Sequence, residues 1–200
     1  MDLVKYLNQK EKTHIIFDFD YTLFRMVIPW EKWERKIEKD LRLLDQNIIN
    51  DYKAGKINLS ELQNLYVTRF GDSINKKIIA HNSWFETRHA QKFIPNKELL
   101  RLIPSLSKYN NFIWSSNTKY NLHKVLKKYG IYNIFKKIVT RNDVNLVKPY
   151  DDGFRLIHDE KTPIYKYLFV GDSGSDKQAA KNLKMDFHLI NYFRTDTTSF

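Results

Sequence analysis

Apolar residues in this chain follow two rhythms. Four short runs rich in β-branched and aromatic side chains have the make-up of strands covered on both faces: Ile15 to Phe19, Phe112 to Trp114, Lys137 to Val139 and Tyr167 to Val170. A weaker fifth run extends from Phe187 to Ile190. Between them the period becomes helical, over Lys97 to Leu106 after an Asn96 cap, Lys119 to Tyr129 closed by Gly130, and Ser175 to Lys184. Strand and helix alternate, which predicts an α/β fold with a Rossmann-like, doubly wound parallel sheet.

One segment interrupts the alternation. From about Ile28 to Ala90 the pattern is helical throughout, beginning with Trp30, Trp33, Ile37, Leu41 and Leu44. A turn around Ala54-Gly55-Lys56 leads to Leu59, Leu62, Tyr66 and Phe70, and a third helix after Gly71 carries Ile74, Ile78 and Ile79. The chain therefore divides into a core of residues 1–26 and 91–200 and an inserted small helical unit of residues 27–90, lying where it can fold over the mouth of the sheet. No internal repeat or low-complexity linker is present, and the tail Arg194 to Phe200 reads as frayed.

A chain of 200 residues with 42% hydrophobic content can bury one sizeable core and a small appended lobe. With no cysteine, disulfides and thiolate metal sites are excluded, and a reducing compartment fits. Met1 to Lys12 lacks the continuous apolar segment of a signal peptide, and no run is long enough to cross a bilayer. The expectation is a cytoplasmic protein with no membrane partner. The formal charge of +11 would suit an anionic partner, yet the basic residues are dispersed. In the densest stretch, Lys119 to Lys137, the stripe Leu122, Val125, Leu126 and Tyr129 leaves Lys124, Lys127 and Lys128 on the outer side. That is a solvated helix face, which makes a nucleic-acid partner the less favoured reading.

The chemistry concentrates in Asp18-Phe19-Asp20-Tyr21-Thr22, at the end of the first apolar run. Side chains two apart on a strand share a face. Two carboxylates ~4 Å apart repel by about 4 kcal/mol at an effective dielectric of ~20, so the pair asks for a cation or a shared proton. In open parallel sheets ligands bind outside the carboxyl ends of the strands. There the chain also delivers Ser115, Ser116 and Asn117, then Lys148-Pro149 after a loop, then Gly171-Asp172-Ser173-Gly174-Ser175-Asp176.

These four stretches, in this order, resemble the motifs of the haloacid dehalogenase-like (HAD) superfamily, whose members are mostly phosphatases. The resemblance implies a HAD-like core with a small helical cap, Mg2+ as cofactor and a small phosphorylated metabolite as partner. It implies Asp18 as nucleophile, forming an aspartyl-phosphate, and Asp20 as the acid that protonates the leaving alkoxide and then activates water. Asp18, the backbone carbonyl of Asp20 and Asp172 would meet the metal, with Asp176 holding metal-bound water; Ser116 and Lys148 would contact the phosphoryl oxygens, and Thr22 and Asn117 shape the loop around them. Carbon–halogen hydrolysis is disfavoured, because a halide leaving group needs no acid such as Asp20. A phosphomutase on the same site stays open. Arg25, Arg69, His81, Trp84, Arg88 and His89 are candidates for substrate contact, but surface or packing roles are favoured for each.

Two other classes compete. Gly171-Asp172-Ser173-Gly174 mimics a serine-hydrolase nucleophile loop, but helix formers follow it and nothing positions His14 or His123 as a base. A non-catalytic anion- or nucleic-acid-binding protein on the same fold is also conceivable, as is a 3′-phosphatase of nucleic-acid ends; the complete acid set argues against the first and a cap over the mouth against the second. The expected assembly is a monomer or homodimer.

Overall fold

A computed structural model describes residues 3–193; the expected fraying of the tail from Arg194 lies outside the described residues. In chain order the elements are α1 (Leu3–Gln9), β1 (His14–Phe17), β2 (Phe24–Val27), α2 (Trp30–Arg42), α3 (Gln46–Lys53), α4 (Leu59–Phe70) and α5 (Asp72–His89). There follow β3 (Lys92–Pro95), α6 (Lys97–Leu102), β4 (Asn110–Trp114), α7 (Lys119–Lys128), β5 (Phe135–Val139), α8 (Asp152–Ile157), β6 (Tyr167–Gly171), α9 (Gly174–Asn182) and β7 (Asp186–Leu189).

The main sheet runs β5-β4-β1-β6-β7 with every pairing parallel. β1 is central, and its Phe17 lies between Ile113 and Val170. Alternate residues face opposite layers, which explains the unbroken apolar runs. Ile15, Phe17, Ile113 and Val170 join α6 and α7 in one core, while Ile16, Trp114 and Phe169 join α8 and α9 in the other. Each fully buried side chain of this kind contributes about 1.5–3 kcal/mol. The α/β fold with a parallel, Rossmann-like sheet is the one expected.

Helices α2–α5 pack around their own apolar centre, with Trp33, Ile37, Leu41, Leu62, Tyr66, Ile78 and Phe85 buried in it. There are four helices rather than the three the periodicity suggests. The first stops at Arg42 because Asp45 starts a new one, its carboxylate accepting from the Asn47 amide at 2.9 Å. Leu44, read as part of the first apolar stripe, is consequently exposed. Gly71 separates α4 from α5 at φ 73°, a backbone conformation that favours glycine.

Pairing of β2 with β3 makes an antiparallel ribbon that carries the chain out to these helices and back. Three groups of buried polar bonds join them to the sheet domain. The Asn64 side chain accepts from the Val147 amide at 2.8 Å and donates to its carbonyl at 3.0 Å. Asn75 accepts from Arg141 at 2.8 Å, and the Glu86 carboxylate accepts from the Thr118 amide at 3.2 Å and its hydroxyl at 2.5 Å.

Candidate active site

β1 ends at Phe17, and the Asp18 amide still donates to Val170 at 2.9 Å, so the Asp18 side chain emerges at the centre of the sheet's carboxyl edge. The chain then folds back in a tight loop in which the amides of Leu23 and Phe24 both donate to the Phe19 carbonyl. That loop returns Asp20 to the same edge, where it accepts from the Met26 amide at 2.8 Å. The single proton of the Thr22 hydroxyl is shared between Asp18 at 3.5 Å and Asp172 at 3.4 Å.

β6 delivers the other half. Gly171 ends that strand against Asp176: a β-carbon at position 171 would meet the Asp176 carboxyl oxygen at 2.7 Å, so the close approach requires glycine. Ser173 caps α9, its hydroxyl accepting from the Asp176 amide at 3.1 Å, while the Asp176 carboxylate accepts from the Ser173 amide and hydroxyl. The same carboxylate accepts from Lys148 at 2.5 Å. Lys148 also donates to Asp18 at 2.5 Å and to the Trp114 carbonyl at 3.1 Å, which engages all three of its protons. Asp18, Asp172 and Asp176 bring carboxylate oxygens within 4.8 Å of one another.

Burial governs the electrostatics here. It pushes the Asp18 carboxyl well above its usual range; Lys148 opposes the push, and Asp176 and Asp172 add to it. Burial also lifts Asp20 to about 7, against the hydrogen bond from Met26. For Lys148, burial disfavours the charge but Asp176 and Asp18 outweigh it, so the ammonium is held charged above its ordinary range. Three carboxyl groups converge here and one ammonium bonds only two of them, and the donor atoms they offer are all oxygens. That set fits a hard divalent cation such as Mg2+.

A cavity of about 260 Å³ opens over these groups. From the sheet side it is lined by Asp18, Asp20, Lys148, Asp172, Ser116 and Asn117. Asn117 is held by Ser115, whose hydroxyl donates to its side chain at 3.0 Å. All the site residues expected from the sequence are therefore at this edge: Thr22 behind Asp18, Asp176 beneath Lys148 and the rest on the cavity wall.

From the helical side the wall includes Leu59, Ser60, Trp30, Trp33, Gln63, Asn82 and Glu86, none of which was singled out as a site residue from the sequence. Their signal was available in part. Asn82 and Glu86 are polar residues spaced one turn apart on the buried face of α5, where Ile78 and Phe85 would lead one to expect apolar neighbours. The six residues offered as substrate contacts are absent from the cavity lining. Arg69 pairs with Asp45, His81 stacks on Phe85, His89 packs on the same ring, Arg88 lies over Trp84, Arg25 lies over Tyr21, and Trp84 is partly exposed. His14 lies at the start of β1, stacked on Phe112, and His123 contacts Tyr132; neither reaches Ser173, whose hydroxyl is engaged in its cap. Among the described residues no helix is long and apolar enough to cross a membrane.

Comparison with known proteins agrees with the motifs. A family model described as haloacid dehalogenase-like hydrolase matches residues 15–190. Among solved structures, the provisionally assigned HAD-hydrolase YfnB from Bacillus subtilis, bound to magnesium, is 18% identical with a TM-score of 0.57, over 96% of this chain and 90% of that one. L-2-haloacid dehalogenase from Xanthobacter autotrophicus is 16% identical with a TM-score of 0.59, over 94% and 85% of the two chains. A provisionally assigned phosphoglycolate phosphatase from Lactobacillus plantarum is 16% identical with a TM-score of 0.54, over 93% and 89%. A search of curated proteins finds no match. With the match spanning most of the chain and the motif residues converging on one edge of the expected sheet, this protein belongs to the haloacid dehalogenase-like hydrolase family.

Proposed function

We propose that this hydrolase is a Mg2+-dependent phosphatase of a small phosphorylated metabolite. The observation that carries the reading is the convergence of Asp18, Asp172 and Asp176, with Lys148 bonded to Asp18 and Asp176 and Asp20 two residues from Asp18. Asp18, Asp172 and the Asp20 backbone carbonyl would hold the metal, with Asp176 supporting it from beneath. Bound there, Mg2+ would offset the repulsion between an anionic nucleophile and an anionic phosphate.

The protein's own groups perform the transfer. An Asp18 oxygen attacks phosphorus, the ester P–O bond breaks, and Asp20 gives its proton to the departing alkoxide. Asp20 then takes a proton from water, which attacks the aspartyl-phosphate, releases inorganic phosphate and restores Asp18. Lys148 aims Asp18 and offsets charge, while Ser116 and Asn117 offer hydrogen bonds to phosphoryl oxygens. The helical unit acts as a cap that excludes bulk water from the acyl phosphate. The presence of Asp20 favours phosphate esters over carbon–halogen bonds, since only an alkoxide leaving group needs the proton.

The test is a screen of phosphate monoesters with Mg2+ and with chelator, beside Asp18→Asn. Phosphate release that stops with chelator and falls on the order of 10⁴-fold in the variant is the expected result. Release from no monoester, an aryl phosphate included, or undiminished turnover in Asp18→Asn, overturns the reading.

A further inference from the structure

The two walls of the cavity differ in charge, and that difference bears on the part of the substrate beyond the phosphate. Among the described residues lining it, Lys148 is the sole cation, and its three protons are already engaged by Asp18, Asp176 and the Trp114 carbonyl. The helical wall adds indoles, amides and the Glu86 carboxyl. A leaving group bearing a carboxylate or a second phosphate would enter this space with no counter-charge and with Glu86 facing it, and a buried anion without a partner is costly.

That wall is also polarised. The indole nitrogen of Trp33 can only donate, and it donates to Asn82 Oδ1 at 2.9 Å. This fixes which end of the Asn82 amide is which, so its NH2 faces Gln63 and donates to Gln63 Oε1 at 3.4 Å. Trp33, Asn82 and Gln63 are all buried apart from the edges they present to the cavity. Because that bond orients Gln63 Oε1 toward Asn82, the group Gln63 turns toward a ligand is its NH2, a donor without charge. Trp30, half-buried and edge-on to Trp33, supplies an apolar surface beside it.

We propose that the Trp33–Asn82–Gln63 relay selects phosphate esters whose leaving group is uncharged and carries an oxygen acceptor, such as a polyol or neutral sugar, and that the site rejects leaving groups bearing a second anion. The proposal rests on the phosphatase reading and extends it to the substrate class. It also separates this chain from its phosphoglycolate-phosphatase neighbour, whose named substrate carries a carboxylate.

The experiment compares three esters with Mg2+: glycerol 3-phosphate, its carboxylate analogue 3-phosphoglycerate, and phenyl phosphate, whose leaving group has no further acceptor. Glycerol 3-phosphate is expected to exceed 3-phosphoglycerate in kcat/KM by about tenfold or more. In Gln63→Glu, which keeps the acceptor for Asn82 but removes the donor, KM for glycerol 3-phosphate is expected to rise about tenfold more than KM for phenyl phosphate. Trp33→Phe, which frees the Asn82 amide to turn, is expected to show the same differential at smaller size. Melting curves identify which variants are folded, and Trp33→Phe carries the test if Gln63→Glu is not. Equal or better use of 3-phosphoglycerate, or equal KM changes for both uncharged esters in the folded variants, overturns this proposal while leaving the phosphatase intact. Failure to hydrolyse any of the three overturns this proposal, and release from no monoester in the wider screen overturns the phosphatase reading as well.

Discussion

The sheet edge and the helical unit enclose one cavity with opposite materials. At the sheet edge the groups are charged and mutually saturated: Lys148 is shared by Asp18 and Asp176, and Asp176 is shared again with the cap of α9. Across the cavity an amide relay and two indoles stand beside the single carboxyl of Glu86. On the proposed reading, charge at the sheet edge serves phosphoryl transfer whatever the ester, so that wall would answer to the reaction and the helical wall to the remainder of the substrate. On that reading, reaction and selectivity are written in separate segments of the chain, joined by the ribbon β2–β3, by the bonds of Asn64, Asn75 and Glu86 and by the packing of α5 on α7.

The sharpest way to break this division is to remove the acid from the sheet edge. Asp20→Asn is expected to slow an alkyl phosphate by on the order of 10³-fold but an activated aryl phosphate far less, because a good leaving group departs without a proton. Equal losses on both esters, measured as phosphate release, would remove Asp20 from that role.

A second probe asks whether the two walls are coupled. Burial raises the Glu86 carboxyl from its ordinary 4.5 to about 7, against the hydrogen bonds from Thr118. Between those values the unfolded chain has lost this proton and the folded chain retains it. The corresponding stability is therefore complete below about 4.5 and is lost as pH rises through about 7. The loss amounts to about 3 kcal/mol. Urea unfolding across this window should show the decline in the wild type and a flatter profile in Glu86→Gln; identical slopes would mean that Glu86 ionises freely.

The smallest effect belongs to the joint itself. Asn75→Ala removes the acceptor from the buried Arg141 guanidinium and the donor from the Val144 carbonyl, at an expected cost of about 1–3 kcal/mol in urea unfolding. An unchanged midpoint would show that the Asn75 bonds contribute nothing to holding the helical unit.

Much of this architecture was legible in advance. The five apolar runs became the five parallel strands, within a residue or two at most ends, since burial on both faces leaves a composition that few other elements share. The ribbon was not legible. Phe24–Val27 and Lys92–Pro95 are four residues each and pair across the whole helical insertion, and non-local pairing of such short segments leaves no local pattern. Tyr129, assigned to the buried stripe of α7, proved partly exposed because that helix ends at Lys128 and Gly130 turns the chain away. The cavity residues of the helical wall were hidden for a related reason. Gln63 and Asn82 look like ordinary helix residues until α4 and α5 face each other across Trp33.

By itself the sequence determined the sheet, the order of its motifs and the identity of the charged groups, because strand burial and carboxylate spacing are local properties carried by neighbouring residues. Only the tertiary structure decided that Lys148 bridges Asp18 and Asp176, that Glu86 bonds Thr118 and that an amide relay faces the carboxyl cluster across the cavity. Those contacts join residues 28 to 130 positions apart in the first case and 32 in the second, and distances of that kind exist only once the sheet has brought its strand ends together.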